Sequence, residues 1–265
     1  AMRPYPQFLD LLIQRDPYGD MSYQSWYMRL EKQYSHGMTL SASYTASKTI
    51  ANTMQSNTWV VGPSNSLYNA RDNRGIEAND IPQRLVFSYV YDLPFGKGRK
   101  FLNSTNPIVS YGLGGWQFSS ITVLQKGRPV LITAPDTTNL FNFSSTNGRA
   151  NRVKDPVLPD GQQTNNNWFD TTAFQRTVPF TFGTDSVSQP RLRGPGRVNF
   201  DFSLIKNTRI KERFNLQYRA EFFNISNTPA LDARGATTDV ASAQFGQIVS
   251  GGNPRNIQFG LRLVF

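Results

Sequence analysis

The stretch that most restricts how this chain can fold is Asn256-Ile-Gln-Phe-Gly-Leu-Arg-Leu-Val-Phe265. Ile257, Phe259, Leu261, Leu263 and Phe265 take every second position, and Asn256, Gln258, Gly260, Arg262 and Val264 take the others. A period of two is the mark of a β-strand with one apolar and one polar face. The length agrees with the ~9–11 residues that a tilted strand needs to cross a bilayer. A polar, frayed end is the usual pattern. A strand closing on Phe265 therefore points to an end that is held in place, with Phe259, Leu261, Leu263 and Phe265 as its assembly signal.

Composition supports a membrane reading only for strands. Mean hydropathy is −0.46, and no run approaches the ~18 apolar residues of a helical span. A barrel escapes that test because only alternate residues must be apolar. The 265 residues carry a net charge of +10, yet charged residues make up only 17% and aromatics 13%. The Lys and Arg residues are scattered, which suits anionic headgroups better than nucleic acid. The absence of Cys removes disulfides and thiolate metal sites. No leader-like apolar run follows Ala1-Met2-Arg3-Pro4, leaving either a chain that is not exported or one whose start is missing.

Read in order, residues 1–21 are punctuated by Pro4, Pro6, Pro17 and Gly19 and predict irregular structure. Ser22 to Tyr34 alternates, with Trp26, Met28, Leu30 and Tyr34 on one face. Met38 to Lys48 alternates more cleanly, after a short turn at Ser35-His36-Gly37. Further strands are expected at Gln83–Leu93, from Trp116 to about Gly127, at Val198–Ile210 and at Phe214–Ile225, with the terminal stretch as a seventh. Connections alternate between short (35–37, 94–115, 211–213) and long (49–82, 129–197, 226–253). Outer-membrane barrels have short periplasmic turns and long outer loops. A soluble β-sandwich also alternates, but its turns recur every ~8–12 residues. The expected fold is therefore an all-β, antiparallel, up-and-down transmembrane barrel segment. Tyr34, Tyr91, Trp116, Phe214 and Phe265 would form an inner-rim girdle, with Trp26, Phe200 and Phe222 further out.

Several longer runs look like a known family. Asp80-Ile-Pro-Gln-Arg-Leu-Val-Phe-Ser-Tyr-Val-Tyr-Asp-Leu-Pro-Phe-Gly-Lys-Gly-Arg99 resembles a signature of TonB-dependent outer-membrane receptors. So do Arg29-Leu-Glu-Lys-Gln-Tyr-Ser-His-Gly37 with Ala42-Ser-Tyr-Thr-Ala-Ser-Lys48, Leu192-Arg-Gly-Pro-Gly-Arg-Val-Asn-Phe-Asp-Phe-Ser203, and Arg219-Ala-Glu-Phe-Phe-Asn-Ile-Ser-Asn-Thr228. The nearest branch carries an N-terminal carboxypeptidase-regulatory-like domain. The resemblance implies a barrel of about 22 strands around a plugged lumen. Residues 1–265 would then be the C-terminal portion, without the plug domain and N-terminal strands.

The implied function is active uptake of a large scarce nutrient, such as a siderophore or oligosaccharide, across a Gram-negative outer membrane. The implied partners are outer-membrane lipid, the barrel-assembly machinery, the rest of the receptor and, through the plug, TonB. Arg29, Glu31, Asp201, Arg219, Glu221 and Arg262 fall on the polar faces of their strands. They form either a wet wall of paired charges or, as the family implies, a surface holding the plug. Trp59, Arg71, Arg74, Phe141, Trp168 and Phe169 stand out in the outer loops as ligand contacts, since rings stack on sugars or chelates and Arg grips anions. The alternative for each is packing the loops together.

Other motifs carry little chemistry. Gly96-Lys-Gly-Arg99 lacks the spacing and hydroxyl of a phosphate loop. His36, the only His, lies in a tight turn and is poorly placed for a catalytic triad. Asp155, Asp160 and Gly161 miss the spacing of a calcium loop. No metal, cofactor or enzymatic activity is expected. The competing functions are a passive porin or adhesin barrel and a secreted soluble β-protein that binds carbohydrate.

Overall fold

A computed structural model describes residues 19–52, 70–96, 98–103, 111–135, 147–159, 161–210, 214–231 and 236–265. Seven long strands dominate it: β1 (Met21–Ser35), β2 (Met38–Ala51), β3 (Gln83–Asp92), β4 (Trp116–Gln125), β5 (Arg197–Ile210), β6 (Phe214–Phe223) and β7 (Asn256–Val264). Each pairs antiparallel with its neighbour in the chain, so spatial order repeats sequence order. The two-residue strand Gly75–Ile76 extends the sheet beside the end of β2. All seven expected strands are present, with ends shifted by a few residues.

The register sorts side chains as the alternation predicts. One face carries Met28, Tyr44, Leu85, Leu124 and Val198 in a row across β1 to β5. A later row carries Tyr91, Phe118, Leu204, Ala220 and Phe259. Among the described residues no second layer covers this face at the edges: Leu30 is 63% exposed, Phe259 67% and Leu261 71%. A soluble sandwich would bury these groups, whereas lipid is their proper solvent. Lys206 is one of the cations on that face, which also carries Lys32 opposite Leu40. Lys206 Nζ lies over the Trp116 ring at 5.1 Å and donates to the Gly114 carbonyl, so the charge turns toward the short-turn end while the stem stays on apolar surface.

Three expectations need correction. The first concerns Tyr34. A bulge between Lys32 and Ser35 shifts the register there. It turns Tyr34 off the apolar face, and the hydroxyl donates to Asp92 Oδ2 at 2.7 Å. Asp92 lies on the polar face, where it also accepts from Gln117 Nε2 at 2.8 Å. An extra residue in one strand reverses the sense of every side chain beyond it. His36 and Gly37 follow with φ of 53° and 76°, the pair of positive values that a two-residue hairpin turn requires.

The second correction concerns the aromatic residues. Besides those near the strand ends, rings form a continuous ladder across the middle of the outer face. It steps from Phe87 to Tyr89 (5.4 Å), Phe118 (5.3 Å), Phe202 (4.4 Å), Phe222 (5.7 Å) and Phe259 (6.5 Å). Phe222 therefore sits within this band rather than in a rim girdle. Cross-strand aromatic contacts contribute about 0.5–1.5 kcal/mol each beyond area burial.

The third concerns the long connections, which the sequence presents as structureless. Segments from 126–196 and 236–248 instead fold into a compact cap at one end of the sheet. Val130, Ile132, Ala134, Ala150, Phe169, Ala173, Phe174 and Leu192 are its buried core, with Trp168, Val240 and Phe245 packed against it. Short ladders hold it: Thr133–Pro135 with Asn147–Arg149, and Asn151–Arg152 with Phe174–Gln175. The core thus sits above the sheet, which is what a wall exposed to lipid requires.

Candidate functional site

The cap is fastened to the strands through residues of two runs quoted above. Asp80 precedes Pro82, whose carbonyl accepts from Ser47 N at 3.0 Å. The Asp80 carboxylate is buried and accepts from Thr49 N at 2.7 Å and from Arg193 Nη2 at 2.7 Å. Arg193 Nη1 also reaches the Asp80 carbonyl (3.1 Å) and the Gly127 carbonyl (3.2 Å). Trp168 Nε1 donates to the Arg193 carbonyl at 2.8 Å, tying the cap core to the same point. Gly127 is required here, because a Cβ would stand 1.8 Å from the Gly194 carbonyl oxygen. The Arg193-Gly-Pro-Gly run is thus a close backbone crossing that delivers β5 to the sheet.

A second fastening uses Arg149, whose side chain is 2% exposed. It donates to Asn73 Oδ1 at 2.6 Å and to Asp72 Oδ2 at 3.2 Å. Burial lowers its pKa from the ordinary arginine value, opposed by the charges of Asp72 and Asp185. Asp185 is buried beside it. Burial pushes its carboxyl above the usual carboxylate value, and hydrogen bonding by Gln189 opposes this.

Below the cap, on the polar face, β5, β6 and β7 frame a cleft of about 430 Å3. Arg197, Asn199 and Asp201 reach it from alternate positions of β5, Phe223 from the end of β6, and Asn253, Arg255 and Asn256 from the start of β7. Asn224 fixes its rim. This residue is 1% exposed and adopts φ of 49°, a conformation that Asn tolerates well. Its Nδ2 donates to the Thr228 carbonyl (2.8 Å) and the Asn253 carbonyl (2.7 Å), while its Oδ1 accepts from Thr228 N (3.1 Å) and Ser226 Oγ (3.3 Å). Its own N–H donates to Asp201 Oδ1 at 2.8 Å. The Asn-Ile-Ser-Asn-Thr run is therefore a stitched turn that sets the mouth of the wall.

The other sequence candidates fall in separate places. Arg29 and Glu31 pair with each other on the polar face of β1, both about half exposed. Arg219 Nε donates to Gln217 Oε1 at 2.8 Å, and Glu221 accepts from Gln258 Nε2 at 2.6 Å. Arg262 is exposed on β7. Asp201 alone of this group lines the cleft. Valines and isoleucines interrupt the polar wall, since Val86, Val123 and Ile121 share its face. Arg71 and Arg74 border a second depression with Asp20 and Asn52, where Arg74 pairs with Asp20. Trp168 buttresses the cap and Phe169 is wholly buried in it. Trp59 and Phe141 lie outside the described residues. Arg197, Asn199, Asn253 and Arg255 escaped the sequence reading. Arg197 and Asn199 were detectable, standing four and two positions before Asp201 on one strand face.

Comparison with known proteins fits this architecture. The model of the outer membrane beta barrel domain family matches residues 1–258, and the chain belongs to that family. Neither a curated protein nor a solved structure matches it. The chain is an all-β, antiparallel barrel component of the Gram-negative outer membrane, with short turns at one end of its strands and the cap at the other. Among the described residues no helix is long and apolar enough to cross a membrane. Members of this family are typically not enzymes. Among the described residues no group of three His, Cys, Asp or Glu side chains could hold a metal ion.

Proposed function

We propose that this chain is part of the wall of a TonB-dependent receptor that imports a large scarce nutrient across the outer membrane. The observation that carries the reading is the open sheet with two differentiated faces. β7 is exposed along its whole length, β1 along most of its own, and among the described residues neither has a partner on its outer edge. Along β7 alternate residues aim both backbone groups away from β6. Left unpaired in lipid, these groups would cost on the order of tens of kcal/mol. Further strands of the same receptor supply the missing partners and enlarge the barrel. A barrel of that size needs a plug, and Arg29, Glu31, Asp201, Arg219, Glu221 and Arg262 face where it would sit. Phe259, Leu261, Leu263 and Phe265 serve as the strand that the assembly machinery recognises by edge pairing.

The test is energised uptake. Cells whose only copy of the receptor carries this chain should lose import on addition of a protonophore or on loss of TonB. Import that continues unchanged after both treatments would identify a passive pore and sink the reading.

A further inference from the structure

We infer that the cleft beneath the cap binds an acidic saccharide, a sugar unit carrying a carboxylate; this rests on the uptake reading and gives it a substrate class. The cleft lies on the polar face at the junction of cap and wall, where a solute leaving the outer loops meets the lumen. Its volume of about 430 Å3 falls within the ~300–1,000 Å3 of small-ligand sites. It is also preformed. Asn224 binds both sides of the rim through its amide, and Asn253, held at φ of 62°, turns its Nδ2 toward Asn199 Oδ1 at 3.4 Å.

The lining selects the ligand. Arg197 and Arg255, both exposed, line the cleft beside the single carboxylate of Asp201, and Arg255 Nη1 also donates to the Ile225 carbonyl at 3.5 Å. The excess of positive charge favours an anion, and the planar fork of Arg matches a carboxylate in two hydrogen bonds. Asp201 Oδ1 is engaged by Asn224 N, which leaves Oδ2 to accept a ligand hydroxyl. Asn256 adds an exposed amide that both donates and accepts, as vicinal hydroxyls require, while Asn199 is buried with its Oδ1 engaged by Asn253. Phe223, 40% exposed at the cleft, offers a ring for the C–H face of a pyranose. A cationic ligand meets two like charges here, and an apolar one would strand the Asn256 amide without a partner.

The test is titration calorimetry on the detergent-solubilised full-length receptor. The probes are a galacturonate trisaccharide and its carboxyl-reduced, neutral counterpart. The acidic sugar should bind, with Kd rising at high salt. Arg197→Gln and Arg255→Gln should each raise Kd about tenfold, the scale of one charge-assisted contact, and Arg209→Gln, exposed at the far end of β5, should leave it unchanged. The neutral sugar should bind about tenfold or more weakly. Both substituted residues are exposed, and unchanged circular dichroism verifies folding of each variant. Equal binding of the two sugars, indifference to both cleft substitutions, loss of binding in Arg209→Gln, or no binding of either sugar would each overturn the assignment. Energised import without a preference for uronate refutes the cleft alone. Uronate binding in a receptor that imports without energy refutes the uptake reading alone.

Discussion

Replacing Arg193 with Met isolates the fastening between cap and wall. The change keeps much of the stem and removes three donor contacts, two to Asp80 and one to Gly127. The Asp80 carboxylate, 1% exposed, is left with the Thr49 N–H as its remaining partner. Removing one member of a buried pair costs about 3–5 kcal/mol, because the other charge stays buried without compensation. Asp80→Asn keeps an oxygen for Thr49 and should cost about 1–2 kcal/mol as one charge-assisted hydrogen bond is weakened. Joined in one chain, the two substitutions should cost less than their sum, since the neutral amide leaves no charge at position 80 to strand. Arg29→Gln is the comparison. Its pair with Glu31 is about half exposed on both sides, and such pairs contribute about 0–1 kcal/mol. The assay is hydrogen exchange of the cap amides in detergent, which reads opening of 126–197 while the strands stay folded. If Arg193→Met accelerates exchange no more than Arg29→Gln does, or if the two substitutions add fully, the fastening is not what holds the cap.

Other consequences follow from the same geometry. Asn224→Ala removes an amide making four hydrogen bonds; at about 1 kcal/mol per neutral bond it should destabilise the rim by roughly 2–4 kcal/mol, seen as faster exchange across 224–231 and 251–256. Leu261→Arg places a charge on the lipid face and should cost about 2–4 kcal/mol near the membrane midplane, lowering the yield of heat-modifiable barrel, whereas Arg262→Gln one residue along faces the lumen and should not. The third concerns pH. Lys154 and then Thr172 hold the Asp170 carboxyl below its ordinary value. Its contribution is therefore present above the unfolded pKa of about 4 and is lost as pH falls through the folded value. The gap in cap melting between the native chain and Asp170→Asn should close in acid, and a gap that widens there would contradict the assignment.

What the sequence revealed depended on how local the determining contacts are. β2 alternates cleanly, and β6 and β7 do so up to their last residues, as a strand whose two faces meet different solvents must. Tyr34 was misplaced because a bulge leaves no mark in a period-two pattern; it shows only as a mismatch with a partner strand. The cap core was hidden for another reason. Val130, Ile132 and Ala134 make a short alternation, and their meaning depends on Phe169 and Phe174 far along the chain. Asp80 and Arg193 both lay in recognised runs, but nothing in either run says that residues 113 positions apart form an ion pair. Phe169 was noticed as a large ring in a polar loop, and that is also how a buried anchor looks before its neighbours are known.

The strictly sequential wall has a consequence for how the molecule comes together. Every ladder joins neighbours in the chain, so hairpins can be added one at a time, each completed strand presenting the edge for the next. The cap obeys a different clock. Arg149 must find Asn73, and Arg193 must find Asp80, across long loops whose closure is entropically slow. β1 to β4 can zip before residue 193 is in reach. Maturation therefore has two tempos, a progressive stitching at the membrane and a late sealing above it, and a barrel caught between them is threaded but not yet roofed.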